Sequence, residues 1–107
     1  MIKWIPLVKR PPTMTVEELR EWWLGPHAEI AKGLPGLKKY VISLAVDGPE
    51  KAIQGIQYDG IAEMWFDTMD DIRKAQNSSV FAELGKDVME HNVTVTEEIY
   101  TEEHLIL

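Results

Sequence analysis

Apolar and polar residues follow two different rhythms along this chain, and the switches between them divide it into six elements. Residues 2–9 form a dense apolar run that stops at Pro11-Pro12, as expected of a strand, since proline lacks the N–H that a ladder needs. Helix signals follow. Thr15 with Glu18 makes a capping box, and Met14 with Leu19 fits a hydrophobic staple. Leu19, Trp22, Trp23, Pro26, Ile30 and Ala31 then trace one apolar stripe at helical spacing. Gly25-Pro26 predicts a kink within it, and Gly33 followed by Pro35-Gly36 predicts its end. Residues 37–46 read as a second strand, with Tyr40, Ile42, Leu44 and Val46 sharing one parity. Asp47-Gly48-Pro49 breaks it, and residues 50–57 read as a loop longer than a tight hairpin requires. A third strand spans residues 58–66. Thr68 and Asp70-Asp71 open a short helix, and Ser78 or Ser79 caps another that carries Phe81, Leu84, Val88 and Met89 on one face. The last strand covers residues 93–100, and residues 101–107 follow no readable pattern.

Strand, helix, strand, strand, helix in two pieces, strand is the split βαβ order of an α+β, ferredoxin-like domain, with a four-stranded antiparallel sheet and its helices on one face. Two helical layers cannot cover the other face, which would ordinarily be polar. Here Glu63 is the only polar residue between Gly60 and Asp67, and the first strand is apolar on both sides, with Trp4 and Val8 opposite Ile5 and Leu7. Burying such side chains is worth about 1.5–3 kcal/mol each. The expectation is therefore a face-to-face homodimer. The competing expectation is that the apolar end of the tail, Leu105 to Leu107, folds back over the open face.

The length of 107 residues suits one domain over residues 1–107. There is no cysteine, which excludes disulfides and thiolate chemistry. A formal net charge of −7 argues against a nucleic-acid partner. No apolar run approaches the ~20 residues of a membrane span, so no membrane partner is expected. The first residues lack the layout of a signal peptide, which gives a cytoplasmic expectation.

Three residues stand out as chemistry. His27 lies on the apolar stripe, four positions after Trp23 and just past the kink, so it points inward, where it could act as acid, base or ligand. Alternatively it only satisfies a carbonyl freed by the kink. Glu63 is a carboxylate in an apolar strand, either an acid–base group or the partner of a lysine or arginine across the sheet. Tyr40 opens the second strand and either donates to a substrate oxygen or packs at the water boundary. Trp23 and Trp65 are candidate pocket walls, and Asp59 beside Gly60 is a candidate binding residue that also reads as a turn pair. The three histidines are too scattered for a metal site, and His91 and His104 read as solvent-facing.

Leu19-x-x-x-Trp23-x-x-x-His27, Pro35-Gly36-x-x-x-Tyr40 and Tyr58-Asp59-Gly60-x-Ala62-Glu63-x-Trp65-Phe66 together resemble the EthD family of dimeric α+β barrel proteins. Leu19 stands where that family often has phenylalanine, and Ala28 where glycine often follows the histidine. The resemblance implies a ferredoxin-like subunit, a face-to-face dimer and a pocket between sheet and helices lined by the histidine and the tyrosine. The broad superfamily includes isomerases, monooxygenases, cyclases and haem-degrading enzymes, and the family name comes from an ether-degradation gene cluster. Fold does not choose among them.

Three functions are then expected in competition. The first is a cofactor-free enzyme working on a small apolar oxygen-bearing molecule, a lactone, phenol or polyketide fragment. His27 would move the proton, Glu63 would assist it, Tyr40 would polarise an oxygen, and Trp23 and Trp65 would wall the pocket. The second is a small-molecule binding module without turnover. The third is haem binding with His27 as axial ligand.

Overall fold

The first strand, β1 (Ile2–Lys9), becomes the centre of the sheet because both of its edges find antiparallel partners. One partner is β3 (Gly60–Phe66), which also pairs with β2 (Lys39–Leu44); the other is β4 (Thr94–Glu102). The sheet order is β2-β3-β1-β4, the ferredoxin-like arrangement. The computed structural model describes residues 1–47 and 58–107; the predicted Gly48-Pro49 break and the predicted loop over residues 50–57 lie outside the described residues.

The capping box forms as expected. The Thr15 hydroxyl accepts from the Glu18 backbone N–H at 3.0 Å, and the Thr15 N–H donates to Glu18 Oε1 at 2.9 Å. These bonds start α1 (Val16–Trp22). The predicted kink follows it. Pro26 has no N–H to donate and crowds the turn before it, and Gly25 leaves helical geometry at φ −101°, ψ −106°. The bend falls within Trp23–His27, and α2 (Ala28–Ala31) continues beyond it. Across the chain, α3 (Met69–Gln76) and α4 (Ser79–Glu90) start on Thr68 and Ser78, whose hydroxyls accept from Asp71 N–H and Phe81 N–H. Asn92, at φ 55°, takes the left-handed position just beyond the end of α4.

Strand parity assigns the two faces. Trp4, Val8, Ala62, Met64, Phe66, Tyr40, Ile42 and Leu44 turn toward the helices and join Leu19, Trp22, Trp23, Leu34, Ile72 and Leu84 in one core. Gly60 is required there, since a Cβ at that position would lie 2.9 Å from Cζ3 of Trp23. Ile5, Leu7, Val41, Ile61, Trp65 and Ile99 occupy the opposite face, alongside Lys3, Lys39 and Glu63.

β2 and β4 differ in extent from the sequence expectation. β2 stops short of Val46, which is 79% exposed, and Leu37 instead belongs to the preceding turn through its N–H to the Leu34 carbonyl. β4 runs on to Glu102 because Ile2 offers it a register partner, so the tail begins as strand. Beyond it, Glu103 accepts from the Trp65 indole N–H, whereas Leu105, Ile106 and Leu107 remain 92%, 91% and fully exposed. The apolar end of the tail therefore does not cover its own sheet, which corrects the fold-back alternative.

Candidate active site

A cavity of ≈210 Å³ opens between the helix-facing side of the sheet and the helical layer. Trp4, Val8, Ala62, Met64 and Tyr40 form its floor. Trp23, His27 and Ala31 cover it from one helix and Phe81, Leu84, Gly85 and Val88 from α4, while Pro6, Val95 and Glu98 close the β4 side. The lining is mostly apolar with a few polar groups, the usual composition of a small-molecule site.

His27 lies two residues beyond the bend at Gly25. Its Nδ1 lies 2.8 Å from Asp87 Oδ2 on α4. The same carboxylate oxygen accepts from the Trp22 indole N–H at 3.0 Å. A carboxylate can only accept at neutral pH, so Nδ1 carries the proton and Nε2 keeps its lone pair. Trp22 packs against two imidazoles in tilted geometry, His27 at 4.5 Å and His91 at 4.8 Å between ring centroids. His91 was expected in solvent; instead it is half-buried against Trp22, with Nδ1 2.8 Å from the Asp87 carbonyl oxygen. Burial pushes the His27 imidazolium down from the ordinary value, and the Asp87 carboxylate opposes that shift without reversing it. The imidazole is therefore neutral at pH 7.

Asp87 was not singled out from the sequence, yet the signal is there. Leu84, Asp87, Val88 and His91 fall at i, i+3, i+4 and i+7, which places the carboxylate on the buried stripe of α4. Gly85 on the same helix faces open space, with nothing within 4 Å of where a Cβ would sit.

Tyr40 lies on the cavity floor. Burial pushes its phenol up to about 12, hydrogen bonding with the Trp23 side chain pulling the other way. It stays a neutral O–H donor across the physiological range. Glu98 reaches the cavity from β4, its Oε2 accepting from the Trp4 indole N–H at 2.7 Å and its Oε1 from the Tyr100 hydroxyl at 2.9 Å.

The structure thus brings His27, Tyr40 and Trp23 to one cavity and separates Glu63, Trp65 and Asp59 from it. Glu63 neighbours Ala62 in β3 and so faces the other side of the sheet, where Lys3 Nζ pairs with it at 2.8 Å. The expected cooperation of His27 with Glu63 is lost for that reason, and Asp87 takes the partner's place. Trp65 shares the open face, with the ammonium groups of Lys3 and Lys39 4.9 Å and 4.7 Å from its ring. Asp59 binds Arg10, accepting from its backbone N–H at 2.7 Å and its Nε at 3.1 Å, and so anchors the turn after β1. Among the described residues, no group of three or more histidine, cysteine, aspartate or glutamate side chains could hold a metal ion, and no helix is long and apolar enough to cross a membrane.

The EthD domain model matches residues 11–92. The chain belongs to the EthD family. No curated protein matches it. Among solved structures, an EthD family protein from Bacillus halodurans superimposes with a TM-score of 0.77 at 22% identity, covering 97% of this chain and 99% of that one. A dimeric ferredoxin-like protein of unknown function from Thermobifida fusca gives 0.66 at 16%, covering 97% and 90%. SnoaB from Streptomyces nogalater, described as a cofactor-independent oxygenase, gives 0.67 at 11%, covering 99% and 95%. At these identities the structures support the shared fold alone.

The depressed His27 value makes stability pH-dependent with a definite sign. Below the ordinary histidine value of 6.5, the unfolded chain takes up this proton before the folded one does. The contribution of His27 is therefore complete above 6.5 and is lost as pH falls through the lower folded value. Urea melts near pH 7.5 and pH 5.5, roughly one unit either side of that value, should show the wild type losing more stability on acidification than His27→Gln. Equal losses would contradict the depressed value.

Proposed function

We propose that this EthD protein is a cofactor-independent acid–base enzyme that relocates a proton on a small, apolar, oxygen-bearing molecule of the lactone, phenol or polyketide type. The observation supporting it is His27 at the cavity wall with Nδ1 held by Asp87, because this leaves Nε2 as the basic nitrogen. Nε2 takes a proton from a C–H beside a carbonyl, and the electron pair of that bond moves onto the carbonyl oxygen. Tyr40 donates a hydrogen bond to the resulting enolate. Asp87 orients the imidazole and stabilises the imidazolium, as carboxylates do in other histidine-based sites. Where a carbon–carbon double bond is conjugated with the enolate, return of the proton to the far carbon of that system gives an isomer, and the step balances without an oxidant or reductant.

The cavity volume favours a ligand of about one ring, since drug-sized sites run to about 300–1,000 Å³. It does not fit a haem, because a porphyrin is larger than such ligands and the cavity is ≈210 Å³. That a protein of this fold is described as a cofactor-independent oxygenase is in keeping with a site that brings no cofactor. The binding-module reading uses the same cavity and differs only in turnover.

Deuterium uptake from heavy water by a panel of one-ring lactones and ketones, followed by NMR, separates these readings. Wild-type protein should catalyse exchange, and His27→Gln should lose about 10²–10⁴-fold of the rate while still binding. Gly85→Leu, which fills the open space, should lose binding and exchange together. Exchange in His27→Gln at the wild-type rate would sink the mechanism; binding without exchange in the wild type would leave the carrier reading.

The same proposal includes a homodimer formed by the open sheet faces. Leu7, Val41, Ile61 and Ile99, none of them buried within one subunit, make that face apolar, the tail residues 105–107 stay uncovered, and a protein of the same fold is described as dimeric. Sedimentation at ~10 μM should give a dimer, and Ile61→Lys should shift it to monomer, since a charge forced into a desolvated interface is costly. A wild-type monomer would refute this arrangement.

A further inference from the structure

The charge around the cavity is of one sign. Among the described residues that line it there is no lysine and no arginine, and the one formal charge is the Glu98 carboxylate. That group is fixed in place. Trp4 Nε1 and the Tyr100 hydroxyl each donate to one of its oxygens, and Gln76 Nε2 donates in turn to the Tyr100 hydroxyl at 2.9 Å. A second carboxylate, Asp87, stands behind His27. Of the two lysines in the nearby strand β1, Lys3 is on the opposite face and paired with Glu63, and Lys9 is exposed at the strand's end. The other polar groups, His27 and Tyr40, supply no positive charge at neutral pH.

An anion entering this space would give up its hydration, gain no counter-charge and approach two carboxylates. An uncharged molecule meets neither penalty. A hydroxyl on it gains a partner as well, because each carboxylate oxygen has two acceptor sites and the indole and phenol occupy one apiece.

We infer that Glu98 is a specificity-determining residue of the cavity, selecting uncharged, hydroxyl-bearing ligands and rejecting carboxylic and phosphoric acids. This rests on the reading of the cavity as a ligand site and narrows its substrate class. The ligand presents the oxygen to be polarised to Tyr40 and its hydroxyl to Glu98. Acids of otherwise suitable size and shape are excluded by charge and not by fit.

Matched pairs of one-ring probes test this, with para-hydroxybenzamide and its isosteric acid, para-hydroxybenzoate, as the lead pair. Affinity is read by calorimetry and by tryptophan fluorescence on the full chain, at pH 7.5, independently of turnover. The amides should bind the wild type at least about tenfold more tightly than the acids. Glu98→Gln, which keeps its amide oxygen as acceptor for Trp4 and turns its N–H2 toward the Tyr100 hydroxyl, whose oxygen can accept, should close most of that gap, and Glu98→Lys should invert it. Far-ultraviolet circular dichroism and melting curves establish that both variants are folded. Equal affinity of amide and acid for the wild type, or a gap unchanged in Glu98→Gln, would overturn charge selection while leaving the His27 mechanism standing. Binding of neither class would overturn the ligand site itself, and both readings with it. Charge selection that holds while His27→Gln exchanges at the wild-type rate would remove the mechanism and keep the selectivity.

Discussion

The hydrogen bond between His27 and Asp87 joins the two helical units that cover the sheet and fixes what the cavity can do. At 2.8 Å it ties the kinked segment to α4 across a sequence separation of sixty residues. It settles the tautomer of the imidazole, and so decides which nitrogen is basic. Trp22 donates to the same oxygen and packs against the rings of His27 and His91, so the pair is held by aromatic contact as well as by hydrogen bonds. Removing Asp87 would leave a buried imidazole without its orienting partner, a loss of position before any loss of basicity.

The local backbone supplies the means. Proline at position 26 cannot complete the regular helical ladder, and the kink that results lies just before His27. Gly85 on the facing helix leaves space where most residues would project, and Gly60 lets Trp23 lie against the strand. The site is thus built from places where regular structure gives way, held by a core of Leu19, Trp23, Phe66 and Ile72 that admits almost no solvent.

The element order, the capping box, the strand parities and the apolar character of both sheet faces were readable from residue spacing, because each follows from local periodicity. The inward direction of His27 was readable for the same reason. What spacing could not give was partnership. Glu63 and His27 both looked buried and polar, but alternation in β3 sends Glu63 to the face that carries Lys3. Asp87 had the helical spacing of a buried residue and was passed over among the surface charges of α4. Its significance depends on how two helices dock, which is a tertiary fact. Trp65 failed as a pocket wall through the same two-residue alternation, and the extra length of β4, an edge strand, came from its pairing with β1, which no local pattern announces.

The claim on which the chemistry depends is that Asp87 holds the proton of His27 on Nδ1 and leaves Nε2 free toward the cavity. Long-range proton–nitrogen NMR of imidazole-labelled protein at neutral pH measures this directly. The account predicts a protonated Nδ1 and a bare Nε2 on His27, with the preference lost in Asp87→Asn. A proton resident on Nε2 in the wild type, or a tautomer indifferent to Asp87, would contradict it.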